Sequence, residues 1–167
     1  MLIPKFDKSI DDRCKKNNWF KLKKKPDILI LEGWCVGAKP ENSKSLNRPI
    51  NVLEKNADNK KIWRNYVNNQ LKSKYSKLFD QLDSLLYLKA KNFKLLKRWR
   101  LKQEKKLKMK SGTKKNSKIM NEEEVETFMM TYQRITQNMF KHTPKYSSAV
   151  TVSYTHLRAH ETRGNLV

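Results

Sequence analysis

The stretch Ile28-Leu29-Ile30-Leu31-Glu32-Gly33-Trp34-Cys35-Val36-Gly37 raises the first chemical question. Four apolar residues run straight into a carboxylate, and two glycines bracket a tryptophan and a cysteine. A buried strand that ends on an acid and a glycine usually delivers that acid to a site; the plainer reading is a strand followed by an ordinary turn. Upstream, Asp7, Lys8, Asp11, Asp12 and Arg13 crowd together without period. His156 and His160 are four apart, a spacing that could ligate zinc on a helix, yet two ligands without a third or fourth make no metal site. Basic stretches interleaved with aromatics, "NNWFKLKKK" and "FKLLKRWR", could track a nucleic-acid backbone and stack its bases. No RNP, KH, helix-turn-helix or zinc-finger pattern accompanies them.

The elements that must hold these residues belong to one domain of modest core, with 167 residues and 37% hydrophobic content. Thirty-eight Lys and Arg against 16 Asp and Glu leave a formal charge of +22. Such a balance suits a polyanionic partner. It also fits the codon usage of an AT-rich gene, because lysine and asparagine are abundant and arginine is sparse. Cys14 and Cys35 are too few for a disulfide framework and form no CxxC pair, so a reducing, cytoplasmic setting is expected. No apolar run approaches the ~20 residues of a membrane span.

Residues 1–20 read as a loop, and "PDILILEGW" reads as a short buried strand bounded by Pro26 and Gly33. Residues 38–60 are polar and irregular apart from Ile50, Val52 and Leu53. From Lys61 the spacing of Ile62, Tyr66, Val67, Leu71, Tyr75, Leu78, Phe79 and Leu82 predicts an amphipathic helix. Leu85–Leu88 read as a second buried strand, although periodicity alone leaves a helical continuation open. A basic helix is expected over 91–110, followed by a solvated break around Gly112. Asn121 and Glu124 form a capping-box signature for a last helix, whose expected buried face is Val125, Phe128, Met129, Tyr132, Ile135 and Met139. Strands alternating with helices point to a layered α/β domain with a mainly parallel sheet, helix-rich toward its C-terminal end.

The order of the pieces narrows this further. "PKFDKSIDDR", "LEGWCVG", "PINVLE", "WRNYVNNQL", "LKRWRLKQE" and "FMMTYQRIT" resemble, in that order, the D-glycerate 3-kinase-like branch of the ATP-dependent P-loop kinases, from about Leu2 to Tyr146. The resemblance implies the C-terminal part of a three-layer P-loop kinase fold (residues 1–146, lid region about 91–120). It also implies a transfer of the ATP γ-phosphate to a hydroxyl of a small, glycerate-like acid, with Mg²⁺ as the accompanying ion. The family's G-x-x-x-x-G-K-S/T loop is absent: Gly33 and Gly37 are four apart with Ala38 following. The nest of N–H groups and the lysine that hold ATP phosphates would then lie outside this chain. Met1 reads as an internal methionine or an artefactual start, and the chain alone is expected to be inactive. Residues 147–167 fit neither the family nor the style of the rest. They resemble a tail found on unrelated sequences when adaptor DNA is translated.

By the same resemblance, Glu32 stands as the acid near magnesium and its waters, at the sheet edge where open α/β folds bind ligands. Asp7 would accept or orient the hydroxyl proton, while Lys8 and Arg13 would bind a carboxylate or phosphate. Arg98 and Arg100 in "KRWRLKQE" would reach over the phosphates from a closing lid. The plain alternatives are a turn glutamate, a solvated charged loop, and a basic solvated face with Trp99 buried. Arg64 in "WRNY" is expected to pack and pair. The competing function is that of a basic nucleic-acid-binding protein.

Overall fold

A computed structural model describes residues 1–7, 12–111 and 119–153. The chain divides into two units, Met1–Gly33 and Trp34–Val167.

In the first unit the stretch read as a loop is a set of short ladders. β1 (Leu2–Ile3) pairs antiparallel with β4 (Phe20–Lys21), and β2 (Phe6–Asp7) pairs antiparallel with β3 (Asp12–Arg13). The main chain bonds onward from both, with Leu22 N–H donating to Met1 O at 2.8 Å and Cys14 N–H to Lys5 O at 2.8 Å. Strands of two residues are too short to show an alternating pattern, which is why the sequence hides them. Trp19 Nε1 donates to the Cys14 carbonyl at 2.8 Å across the intervening turn.

The expected buried strand over "PDILILEGW" is not formed. Residues 27–33 carry no strand, and Ile28, Leu29 and Ile30 are 80%, 81% and 83% exposed. A run of apolar residues becomes a buried strand only when neighbours satisfy its N–H and C=O groups and cover both faces. Among the described residues no strand pairs with it.

The second unit is helix-rich. α1 (Val52–Asn56) starts at Asn51, whose side chain accepts from Glu54 N–H at 2.9 Å. α2 (Ile62–Gln70) follows Asp58, whose two carboxylate oxygens accept from the N–H groups of Trp63 and Arg64. The helical path continues through a wider π turn, Leu71–Tyr75, into α3 (Ser76–Phe79). The helix is where its spacing places it, but its buried face is turned. Arg64, Asn68 and Leu71 are buried, whereas Ile62, Tyr66, Tyr75 and Leu78 are exposed. Polar side chains occupy the inner face because they bind loop backbone: Arg64 donates to Leu46 O and Asp58 O, and Asn68 exchanges bonds with the Glu41 backbone. Apolar periodicity cannot register such a face.

β5 (Leu86–Ala90) leads into the basic helix α4 (Phe93–Ser111), and α5 (Glu122–His142) carries the full Asn121–Glu124 capping box. β6 (Ala149–Ser153) returns parallel to β5, with Leu88 opposite Thr151. It lies inside the stretch set apart from residue 147 onward as a tail. His156 and His160 lie outside the described residues. The fold is thus mixed α/β with a parallel strand pair.

The core gathers on α5, where Val125, Met129 and Met139 are buried; Met139 joins Ala38 and Leu71, with Cys35, Tyr87 and Ile135 packed against them. Burial pushes the Cys35 thiol up to about 11. Tyr87 is raised to about 12 by burial first, then by Tyr146 and Cys35. Gly37 makes the turn that brings Ala38 inward, with φ +77 and a hypothetical Cβ only 2.7 Å from Leu85 Cδ2.

A buried ionic network holds the irregular segment 41–58 to α2 and α5. Arg134 Nε and Nη2 donate to the two oxygens of Glu54 at 2.7 and 2.6 Å, and Nη2 also reaches Arg48 O at 2.7 Å. Arg64 adds an ion pair to Asp58 at 3.3 Å, so it packs and pairs as its sequence context suggests. Each arginine saturates carbonyls that regular structure would otherwise satisfy.

Candidate functional site

Asp7 and Arg13 sit diagonally on the small β2–β3 ladder, with Asp7 in register with Asp12 and Phe6 with Arg13. Asp12 Oδ1 is taken by the Arg13 N–H at 2.6 Å, and the Arg13 side chain is exposed. Lys8 lies outside the described residues. Glu32 is exposed at the end of an extended segment, not at the end of a strand, and has no hydrogen bond or ion pair among the described residues. The first unit therefore holds Asp7, Arg13 and Glu32, and the second holds Arg98 and Arg100.

Trp34, next in the chain after Gly33, has a structural task. Its ring stacks on Tyr132 at 4.8 Å and 7°, and Tyr132 in turn meets Phe128 at 5.1 Å. This aromatic group anchors the start of the second unit to α5. Helix α4 reaches the same group. Arg100 lies over the Phe128 ring at 5.1 Å, and Lys97 Nζ bonds Glu126 at 2.8 Å.

The two arginines on α4 are in different states. Arg98 is exposed and makes no hydrogen bond or ion pair among the described residues. Arg100 is engaged: it pairs with Glu104, and Nη1 donates to Gln103 at 3.2 Å. Its Nε is buried and has no hydrogen-bond partner. Glu104 is only 5% exposed, and its other oxygen accepts from Met120 N–H at 3.1 Å, tying α4 to the segment that enters α5. Sequence reasoning missed Glu104, although the i,i+4 spacing from Arg100 was the signal that could have found it.

The 167 residues contain no G-x-x-x-x-G-K-S/T stretch. Among the described residues, no three of His, Cys, Asp and Glu converge as metal ligands. What the described residues do supply is an acid on an exposed edge, an exposed guanidinium, and a second one with an unused buried donor.

No protein-family model matches the chain. It is 35% identical over 136 residues to a protein of Schizosaccharomyces pombe (strain 972) described as the uncharacterized kinase mug58, a match covering 78% of this chain and 46% of that protein. Its structure is similar, with a TM-score of 0.62 and 25% identity, to D-glycerate 3-kinase from Cryptococcus neoformans var. grubii serotype A, over 84% of this chain and 49% of that one. The chain spans about half the length of each protein it matches. The resemblance read from the six motifs is thus met in sequence, by a kinase, and in structure, by a D-glycerate 3-kinase. No helix among its described residues is long and apolar enough to cross a membrane.

Proposed function

From this kinship with glycerate 3-kinase-like kinases, we propose that the chain is the lid-bearing part of an ATP-dependent small-molecule kinase. The reaction it serves moves the γ-phosphoryl group of ATP to a hydroxyl of a small, glycerate-like acid. The observation that carries this reading is the structural likeness to D-glycerate 3-kinase across 84% of the chain. The local arrangement supports it, because a basic helix follows directly on strand β5, the position from which a lid can fold over an anion.

Phosphoryl transfer asks for positioning and for cancellation of negative charge more than for covalent chemistry. Asp7 is assigned to orient the acceptor hydroxyl and take its proton, with Lys8 and Arg13 holding the acid group of the substrate. Glu32 is assigned to the cation side of the phosphates. Arg98 approaches the transferring group when the lid closes, and the spare Nε–H of Arg100 offers a second donor. ATP and Mg²⁺, when bound, supply the phosphoryl group and its charge compensation. The phosphate cradle comes from outside these residues, so the chain by itself is inactive.

A chimera tests the reading. Residues 1–146 replace the matching half of the Cryptococcus enzyme, and ATP-dependent phosphorylation is measured against a panel of small hydroxy acids. Phosphorylation of D-glycerate is expected, together with none by the isolated chain. A folded chimera that turns over no hydroxy acid would overturn the assignment.

A further inference from the structure

The second unit contains a cleft of about 650 Å³ at the C-terminal end of α5. Its lining on α5 begins at Arg134, roughly 9 Å along the helix from Phe128 at 1.5 Å per residue, and runs on to His142. Its lining includes Lys39, Arg48, Lys141 and Lys145, with His142 beside them and Tyr146 as an aromatic wall. None of these four cations has an ion pair among the described residues. The one acid of the cleft, Glu41, is already engaged by Arg134 at 3.5 Å and by Ser45 Oγ at 2.9 Å.

In a chain of charge +22 any groove gathers some lysines, so the question is whether these cations are placed. Two of them, Lys141 and Lys145, follow from the helix end, where cations offset the dipole. Lys39 and Arg48 have no such reason to be there. They ride on a loop whose backbone is fixed by inner side chains. Asn138 Nδ2 donates to Lys39 O at 2.9 Å, and the buried Arg134 fork donates to Arg48 O at 2.7 Å. The Lys39 ammonium is held 4.1 Å over the Tyr146 ring, and that ring is fixed by its hydroxyl donating to Gly37 O at 2.9 Å. Four cationic residues therefore line one space, two of them on backbone held by a preformed frame, at the cost of their mutual repulsion.

We propose that this cleft binds a small organic phosphate. Its phosphoryl oxygens meet Arg48, Lys141 and Lys145, and its organic part lies against Tyr146. A phosphate monoester fits because it brings close to two charges and three acceptor oxygens to three separate cations. The cleft volume is that of a small-molecule site. The site is separate from the lid, and the proposal stands whether or not the kinase reading does.

The test titrates the full 167-residue chain with phenyl phosphate, inorganic phosphate and an oligothymidylate, following backbone amide signals by NMR at about 0.1 M salt. Saturable shifts confined to residues 39–50 and 134–146 are expected with phenyl phosphate. Arg48→Ala and Lys141→Ala should each weaken it roughly tenfold, the scale of one charge-assisted hydrogen bond. Lys72→Ala, an equal loss of charge at an exposed lysine outside the cleft, should change affinity by less than about twofold. Equal weakening by all three variants would mean general attraction to a basic chain and end the proposal. So would binding of the oligonucleotide alone, shifts centred on α4, or no saturation.

Discussion

Arg98 and Arg100 leave α4 about 200° apart, since successive residues turn by about 100°. They cannot play the same part in one position of the helix. Arg98 faces water, while Arg100 is drawn inward by Glu104 and the Phe128 ring. In the active chimera, Arg98→Ala should lower kcat roughly a hundredfold or more with little change in thermal midpoint. A cation that meets the phosphoryl group mainly in the transition state acts on kcat. Arg98→Lys should recover part of that loss, because the ammonium restores charge without the planar fork. Arg100→Ala should instead lower stability by about 1–3 kcal/mol as well, leaving the Glu104 carboxylate buried without its cation. Steady-state kinetics beside thermal unfolding separate the two. Unchanged kcat in Arg98→Ala would remove that residue from the mechanism.

At the scale of elements, the helices and the strand near Leu86 were legible, while the short ladders of the first unit were not. Capping at Asn121 and Glu124 and the stripe through Val125, Met129 and Met139 are local signals, and α5 follows them. The run Ile28–Leu31 has the composition of a buried strand, but a strand is completed by partners far away in sequence, and no pairing is encoded in the run itself. The same limit applies to the site. Residue types and motif order pointed to Asp7, Glu32 and the α4 arginines, while the pairing of Arg100 with Glu104 and the cations of the α5 cleft needed three-dimensional proximity. An exposed extended segment with no ladder bonds is an easy substrate for a protease. Brief trypsin treatment should therefore cut first after Lys23 or Lys24, beside that segment, and leave a fragment beginning at Lys24 or Lys25, because the Lys25–Pro26 bond resists the enzyme. Mass spectrometry reads the site, and first cleavage within α5 would show that the second unit is the weaker one.

For the whole molecule, the network around Arg134 joins the segment 41–58 to α2 and α5, and its protonation should govern acid stability. Burial alone would raise the Glu54 carboxyl. The bonds from Arg134, the Ile50 N–H at 3.0 Å, and the charges of Arg134 and Arg64 outweigh it and hold the group below the usual 4.5. Arg134 moves the opposite way, raised chiefly by its bond to Glu54, and stays charged throughout. A folded value below the unfolded one means that the unfolded chain takes up the proton first as pH falls. Stability from this pair is therefore complete above about pH 4.5 and is lost as pH drops through the folded value. Glu54→Gln should cost about 3 kcal/mol at neutral pH, since the buried Arg134 loses its closely bonded carboxylate and keeps only Glu41 at 3.5 Å as a counter-charge. The variant should also show a shallower decline of stability below pH 4.5 than the wild-type chain in urea unfolding. Should the variant be too unstable to fold, carboxyl-carbon NMR of the wild-type chain reads the same quantity. A Glu54 carboxyl titrating at or above its ordinary value would show that burial, and not the arginine pair, sets its charge.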